Sequence, residues 1–253
     1  MRPTGRGDAD QSGAERASLP TPGAPEREAV RGMFDRIARR YDRLNALLSV
    51  GMDRHWRRVA IDALRLPTGA QLLDVGTGTG DMLVEWLRRD PGNRGVGIDL
   101  SPAMLAVGRE KLGRKGMGKR ARLLRGDAES LPIRSGSCDG LTIAFGLRNV
   151  SRRGQALREF ARALKPGGPL AVLELSWPRG VCGRLYRIYF AHVLPRLGAC
   201  LSEDSRAYGY LPASVREFPN ASALGAELRA AGFTDVDARP LSGGIVSLHR
   251  ARR

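Results

Sequence analysis

Between residues 71 and 175 the sequence alternates short apolar runs with stretches of helical periodicity. This alternation is typical of parallel β-strands joined by crossover helices. It therefore predicts an α/β fold with a mostly parallel sheet, which is Rossmann-like in its general plan. The predicted strands are Gln71–Val75, Gly95–Leu100, Arg122–Arg125, Gly140–Phe145 and Leu170–Leu175.

The end of the chain adds two more strands. After a helix predicted over Ser222–Ala231, strand-like segments at Thr234–Arg239 and Ile245–Arg250 are joined by a short connection. Such a pair predicts an antiparallel hairpin at one edge of a seven-stranded sheet. This ending is typical of methyltransferases rather than of nicotinamide-binding domains.

The beginning of the chain divides into a tail and a cap. Residues 1–27 are rich in Gly, Pro, Ala and charges without apolar periodicity, so we expect a disordered tail. A single domain over 28–253 should follow. Apolar residues from Val30 to Leu48 lie on one helical stripe, and Trp56 to Leu64 repeat the pattern. We expect these helices, within 28–66, to cap the domain.

The chain is strongly basic, with 42 Lys and Arg residues against 26 Asp and Glu residues. A charge of +16 favours an anionic partner, although a GC-rich coding sequence explains the scarcity of lysine equally well. Neither an apolar run of roughly 20 residues nor a signal-peptide core occurs, so we expect a cytoplasmic protein. The three cysteines form no CxxC pair, and we expect no metal.

A glycine-rich turn follows the first predicted strand. Gly76, Gly78 and Gly80 lie where the strand turns into a helix, which lets the backbone approach a ligand. Such a turn alone is weak evidence, because it also serves as a tight loop. The GxGxG spacing differs from the dinucleotide GxGxxG motif, and Asp74 would attract the ammonium of a methionine moiety but repel a pyrophosphate. The turn favours S-adenosylmethionine.

Two further carboxylates extend this predicted site. Asp99 ends the second strand, where it can accept hydrogen bonds from both ribose hydroxyls of an adenosine. The alternative is a capping role for the helix that begins at Ser101-Pro102. Asp127 follows the third strand and can accept from the adenine amino group, while the Ala128 N–H serves the ring. A solvated loop aspartate is the competing interpretation of Asp127.

Four segments resemble the menaquinone/ubiquinone-biosynthesis C-methyltransferases, and the resemblance runs from about Met33 to Arg250. General methyltransferases share the glycine turn and Leu164–Gly168, but not this set. The segments are Met33–Ala38 with Tyr41-Asp42, Phe145–Val150, His192–Arg196 and Gly243–His249.

The resemblance implies a class I S-adenosylmethionine-dependent methyltransferase fold and cofactor contacts at Thr79, Asp99, Asp127 and Ala128. Where several relatives have serine, this chain has Ala144. A side-chain hydroxyl contact is therefore absent there, and any contact is through the backbone or through van der Waals packing.

The implied reaction transfers a methyl group to a ring carbon beside a quinol hydroxyl, which requires a base and donors that stabilise a developing phenolate. Arg148 and Asn149 follow the fourth strand, at the carboxyl edge where ligands of open α/β sheets bind. We rank them first as catalytic residues. Tyr41, with its neighbour Asp42, and His192 are further candidates, although Tyr41 could be core and a lone histidine is more often structural.

The resemblance also implies a lipid-tailed quinol as substrate. The insertion over 181–215 interleaves apolar and arginine residues, which suits a substrate cap that meets the inner face of the cell membrane, although a helix packed on the sheet is the plainer interpretation. Alternatives are another small-molecule methyltransferase, a module that only binds S-adenosylmethionine, and a nucleic-acid methyltransferase. The last is disfavoured because Ala144–Leu147 differs from the Asn/Asp-Pro-Pro-aromatic segment, so we expect no nucleic-acid partner. The sequence leaves open whether the chain forms a homodimer.

Overall fold

The computed structural model describes residues 27–178, 183–184 and 206–253, the last without the side chains of 206–209. Seven strands and eight α-helices are named here in chain order. They are α1 Arg27–Ile37, α2 Tyr41–Leu48, α3 Met52–Leu64, β1 Gln71–Val75, α4 Asp81–Leu87, β2 Arg94–Asp99, α5 Pro102–Arg114, β3 Ala121–Arg125, β4 Gly140–Ala144, α6 Arg153–Ala163, β5 Pro169–Leu175, α7 Arg206–Glu217, α8 Ala221–Ala230, β6 Thr234–Leu241 and β7 Val246–Arg252.

The strands form one sheet in the order β3-β2-β1-β4-β5-β7-β6. The pairs among β1 to β5 are parallel, whereas β7 runs antiparallel to both β5 and β6. The predicted parallel sheet and terminal hairpin are therefore confirmed. Because the chain leaves β1 first toward β2 and later toward β4, the order reverses beside β1, and ligands of such sheets bind at this switch point.

Each face of the sheet carries its own apolar core, because neighbouring residues of a strand point to opposite faces. On β1, Leu72 packs with the α3, α4 and α5 side. Leu73 packs on the other side with Phe160 of α6 and Leu224 of α8. All four side chains are fully buried, which fixes the register of the central strand.

The stripe from Val30 to Leu48 predicted a single helix, and this prediction is wrong. The chain turns at residues 38–40, where the Arg40 N–H donates to the Ile37 carbonyl and ends α1. Two shorter amphipathic helices replace the predicted one, since each buries its own part of the stripe. The break places Tyr41 at the start of α2 and directs it toward the carboxyl edge of the sheet.

Helix α1 is fastened to the body of the domain at both ends. Near its C-terminus, Asp35 accepts a hydrogen bond from Ser101 Oγ (2.5 Å) at the start of α5. At its N-terminus, Arg27 Nη1 lies 3.0 Å from Asp127 Oδ2, and the guanidinium also pairs with Glu129. Arg27, which the sequence assigned to the tail, thus begins the cap. Within the described ranges, none of the helices is long and apolar enough to cross a membrane.

Two truncations test where the folded domain begins. Removing residues 1–26 should leave the melting temperature unchanged, because their composition predicts no packing against the domain. Removing residue 27 as well deletes the ion pairs to Asp127 and Glu129. That truncation should lower the melting temperature by about 2–4 °C, the shift that about 1 kcal/mol produces in a domain of this size. Calorimetry compares the two; a large loss on the shorter truncation would contradict the assignment.

Candidate active site

A cleft opens at the carboxyl ends of β1, β2 and β4, and it encloses about 680 Å³, part of it open to solvent. Gly76 and Gly78 line it, and both have the positive φ that favours glycine (63° and 53°). A Cβ on Gly76 would lie 3.8 Å from the Gly146 Cα, so the loops that follow β1 and β4 run side by side. The glycine turn and the segment after β4 form opposite walls of one site.

Asp99 lies in this cleft and organises its floor. Its Oδ2 accepts from the Gly78 N–H (2.8 Å) and its Oδ1 accepts from the Ser101 N–H (2.9 Å). Burial raises the pKa of Asp99, whereas these backbone hydrogen bonds oppose the shift. Each carboxylate oxygen can accept a second hydrogen bond. The side chain is therefore suited to ribose hydroxyls while it also joins β2 to the glycine turn.

Asp74 is buried within β1 and does not line the cleft itself. Thr142 Oγ1 donates to its Oδ1 (2.7 Å), but Oδ2 has no hydrogen-bond partner among the described residues. Burial raises the pKa of Asp74 to about 7. An orphaned carboxylate oxygen beside the glycine turn fits a cationic ligand group, because such a group would complete its coordination.

Thr79, which the resemblance placed against the cofactor, belongs to a buried polar cluster instead of the cleft lining. Its hydroxyl donates to Asp42 Oδ1 (2.6 Å) and accepts from Lys111 Nζ (2.9 Å). The same ammonium pairs with Asp42 and Asp81, each at 2.6 Å. Gly80 has positive φ (82°) and begins α4 beside this cluster. The cluster ties α2 to the helix that follows the glycine turn.

The structure places only one of the two residues predicted to contact adenine in the cleft. Ala128 lines the cleft, whereas Asp127 does not. The Asp127 carboxylate accepts from the Glu129 N–H (2.9 Å) and pairs with Arg27. Arg27 therefore competes with any adenine amino group for this carboxylate.

Ala144 ends β4 and lines the cleft, and the backbone is strained just after it. Phe145 was predicted to extend the strand, but it has φ of 57°, a region that bulky side chains rarely adopt. Its ring packs edge-to-face on Trp56 (6.1 Å between centroids), and its N–H donates to the Leu173 carbonyl (2.7 Å). Such strain is common where surrounding contacts hold a functional loop.

Arg148 is held behind this strained turn. Its Nη1 lies 2.6 Å from Glu174 Oε1 and donates to the Phe145 carbonyl (2.5 Å). The side chains of Arg148 and Glu174 are 9% and 1% exposed, so this is a buried ion pair. Burial is the largest influence on the pKa of Arg148 and lowers it, but the charge and hydrogen bond of Glu174, together with Tyr41 and Tyr210, make the net shift upward. The Arg148 Nε finds no partner within the described part of the chain.

Asn149 and Tyr41 place polar groups in the cleft. Tyr210 of α7 donates its hydroxyl hydrogen to Asn149 Oδ1 (2.9 Å), whereas Asn149 Nδ2 is buried without a hydrogen-bond partner in the described ranges. The Tyr41 ring meets Phe34 edge-to-face (6.0 Å) and lies near Gly78. Burial raises the pKa of Tyr41, so it remains a neutral phenol at physiological pH.

Sequence reasoning missed three residues that organise the site. The sequence did contain an indication for Glu174, because it is a carboxylate in an otherwise apolar strand. Lys111 and Tyr210 had no such indication, because only the fold brings them to Thr79 and Asn149. Of the residues predicted from the sequence, the structure brings Gly76, Gly78, Asp99, Ala128, Ala144, Asn149 and Tyr41 together along the cleft. His192 lies outside the described residues.

The sheet order and the terminal hairpin define the fold of the class I S-adenosylmethionine-dependent methyltransferases. A methyltransferase of this kind from Thermotoga maritima superposes with a TM-score of 0.61 at 20% identity, covering 88% of this chain and 98% of that one. One from Aquifex aeolicus gives 0.58 at 19% identity over 78% of this chain and 88% of its own. These similarities concern the fold.

The chain belongs to the ubiE/COQ5 methyltransferase family, whose model matches residues 23–253. It is 47% identical to the ubiquinone/menaquinone biosynthesis C-methyltransferase UbiE of Syntrophotalea carbinolica, over 88% of this chain and 94% of that protein. It is 45% identical to a demethylmenaquinone methyltransferase of Thermus thermophilus, over 86% and 98%. The resemblance drawn from the motifs is confirmed, and S-adenosylmethionine is the cosubstrate of this class.

Replacing Asp99 by alanine should weaken S-adenosylmethionine binding at least about tenfold, since hydrogen bonds to a charged acceptor contribute about 1.5–3 kcal/mol each. Isothermal titration calorimetry measures the change. Because Asp99 also holds the Gly78 and Ser101 N–H groups, Ser101→Ala serves as the control: it disturbs the start of α5 but keeps the carboxylate. Equal affinity in the wild type and Asp99→Ala would place the ribose partner elsewhere.

The raised pKa of Asp74 predicts a pH-dependent stability in the absence of ligand. The folded protein holds this proton up to about pH 7, whereas the unfolded chain releases it near the ordinary value of 3.8. The contribution of Asp74 to stability therefore falls as pH rises from about 4 through 7. Asp74→Asn does not ionise and still accepts from Thr142. Its stability relative to the wild type should increase between pH 5 and 8, by about 3 kcal/mol at most.

Urea unfolding of both proteins at several pH values measures this difference. Thr142→Val, which removes the donor to Asp74, is the control and should raise the pKa further. Parallel pH profiles for the wild type and Asp74→Asn would show that Asp74 is ionised throughout this range.

Proposed function

We propose that this protein methylates a ring carbon of demethylmenaquinol, of the related ubiquinone precursor, or of both, using S-adenosylmethionine. One observation carries the proposal: Asn149 lines the same cleft as Asp99 and has a buried amide nitrogen without a described partner. The residue with this unsatisfied donor and the carboxylate suited to the cosubstrate ribose thus line one cavity. The names of relatives at 47% and 45% identity supply the class of acceptor.

S-adenosylmethionine would be held by the wall that the glycine turn forms. Asp99 accepts from the ribose hydroxyls, and Asp74 attracts the ammonium through the oxygen that has no partner among the described residues. Ala128 and Ala144, which line the cleft, would flank the adenine and the methyl-bearing end. The bound cosubstrate supplies an electrophilic methyl group on a sulfonium.

The residues after β4 act on the acceptor ring. The Asn149 amide donates from Nδ2 to a ring oxygen, and Tyr210 fixes the orientation of that amide through Oδ1. The Arg148 guanidinium, held by Glu174, would favour transfer of the phenolic proton to a water molecule and stabilise the resulting phenolate. After methyl transfer, the hydrogen of the attacked ring carbon would leave as a proton to the solvent, which restores the aromatic ring. The Tyr41 phenol closes the cleft from α2, and His192, which lies outside the described residues, stays a further candidate for catalysis.

A prenylated quinol requires an apolar passage and access to the lipid phase. We infer that the protein works at the inner surface of the cell membrane without spanning it. The segment over 181–215 was expected to form the substrate cap, but most of it lies outside the described residues. Another small-molecule acceptor is the alternative, and the assay below distinguishes it directly.

The test is methyl transfer to a reduced, short-tailed demethylmenaquinone, followed by mass spectrometry of the ring. In Arg148→Met, turnover should fall by about 100- to 1,000-fold, as expected when one preorganised donor is lost. Stability should fall as well, because Glu174 is left buried without its cation. No methylated quinol from the wild type, despite S-adenosylmethionine binding, would refute the proposed acceptor.

The double variant Arg148→Met/Glu174→Gln separates catalysis from stability. The glutamine that replaces Glu174 is not charged, and its one side-chain oxygen can still accept from one of the two backbone N–H groups, at 148 and 175, that donate to the two oxygens of Glu174. We expect the melting temperature to recover in part while turnover stays low. If turnover recovers together with the melting temperature, Arg148 has a structural role only.

A further inference from the structure

The turn between α2 and α3 carries an exposed apolar tip. Among the residues that the structure describes, the large apolar side chains that are exposed are Leu47, Val50 and Met52, with 43%, 84% and 39% of their surface accessible. All three lie within six positions of one another. Exposed apolar residues that are scattered over a surface need no explanation. Three of them within one turn do need one.

Val50 also adopts a backbone conformation that opposes its side chain. Its φ is 51°, and a β-branched residue in the left-handed region is strained. Glycine would occupy this position without strain, as Gly51 does next to it (φ 75°). The chain therefore keeps a strained, exposed valine where folding favours glycine. Conformational strain of this kind points to a function for the side chain.

The charges around the tip have one sign. Between residues 36 and 58, the two acidic residues are engaged within the protein: Asp42 pairs with Lys111, and Asp53 pairs with the buried Arg57. The exposed ionisable side chains of this segment are basic. They are Arg36, Arg39, Arg40, Arg43, Arg54, His55 and Arg58.

The tip also lies at the same end of the molecule as the cleft. Helix α3 ends a short turn before β1 begins, so its C-terminus lies at the amino edge of the sheet. Its first residue, Met52, therefore lies at the opposite, carboxyl edge. Trp56 confirms this, because its Nε1 donates to Ser242 Oγ (2.8 Å) just after β6 ends. From Tyr41 in the cleft, α2 rises about 12 Å to the tip. A lipid-tailed molecule could reach the cleft from a surface on which the tip rests.

We propose that the α2–α3 tip, defined as Leu47, Val50 and Met52 with the flanking Arg43 and Arg54, docks this protein on an anionic phospholipid bilayer. Apolar side chains enter the interface while arginines meet lipid phosphates, which is the composition that peripheral membrane contacts use. The proposal rests on the proposed function for its purpose, since a prenylated quinol resides in the bilayer. Membrane binding itself requires no turnover.

Vesicle flotation tests the docking surface. The wild type should float with vesicles of phosphatidylcholine and phosphatidylglycerol, and less with phosphatidylcholine alone, and added salt should weaken binding. Val50→Asp should lower vesicle binding by about tenfold or more, because a charge replaces the methyl groups that enter the membrane interface. Thr68→Asp is the matched control, since it adds the same charge to an exposed turn at the opposite edge of the sheet. Equal loss in both variants would refute the proposal.

Val50→Gly is a second variant, which tests whether vesicle binding can be lost without misfolding. It removes the side chain and relieves the strained φ, so the melting temperature should stay the same or rise while vesicle binding falls. Arg43→Gln/Arg54→Gln should remove the preference for anionic vesicles. Wild-type vesicle binding by Val50→Gly would overturn the proposal. So would a dimer in sedimentation equilibrium that dissociates on this substitution without any vesicle binding, since the tip would then bind a second copy.

Kinetics distinguish this inference from the proposed function. Val50→Gly should raise the apparent KM for a long-tailed quinol embedded in vesicles but leave turnover of a short-tailed quinol in solution unchanged. Absence of turnover on both substrates would refute the quinol acceptor, while flotation would still decide the docking surface. Equal KM values for the two proteins on embedded quinol would show that the tip plays no part in substrate access.

Discussion

The site depends on one buried ammonium. Lys111 Nζ, which extends from the last turn of α5, contacts Asp42 and Asp81 at 2.6 Å and Thr79 at 2.9 Å. These partners belong to the cap, to α4 and to the glycine turn. A buried charge is stable only when it is paired and hydrogen-bonded, so the three elements must meet at this point. The position of Tyr41 beside Gly78 follows, because Tyr41 precedes Asp42.

The opposite wall relies on a second buried pair. Phe145 is strained, and a strained turn persists only where surrounding contacts fix it. Arg148 supplies such a contact through the Phe145 carbonyl, and Glu174 holds Arg148 in turn. Arg148 is thus held in a buried ion pair between residues that line the cleft, although its own side chain is not part of the lining. Charge stabilisation of a phenolate requires a dipole that does not reorganise during the reaction. The strain at Phe145 is the cost of that rigidity.

Local pattern and spacing predicted the sheet, the hairpin and the glycine turn, because each depends on residues that are neighbours in sequence. Asp99 was also predictable, since the end of β2 lies at the switch point by topology alone. The break at residues 38–40 was not, because one apolar stripe fits one helix or two. Lys111 and Tyr210 also escaped prediction: a lysine on an amphipathic helix and a tyrosine in an apolar run acquire roles only through tertiary contacts made far along the chain.

The net charge of +16 also shows what sequence alone cannot predict, because a total charge does not say which charges are exposed. Many arginines are used inside the fold: Arg57 pairs with Asp53, Arg148 with Glu174, and Arg162 with Glu159. These cations neutralise buried or neighbouring carboxylates, so they provide no surface for a partner. Arg43 and Arg54 beside the α2–α3 tip differ, because both are exposed and the acidic residues of their own segment pair with Lys111 and with the buried Arg57. The position of exposed charge relative to the cleft, rather than its total, is therefore the property that bears on an anionic surface.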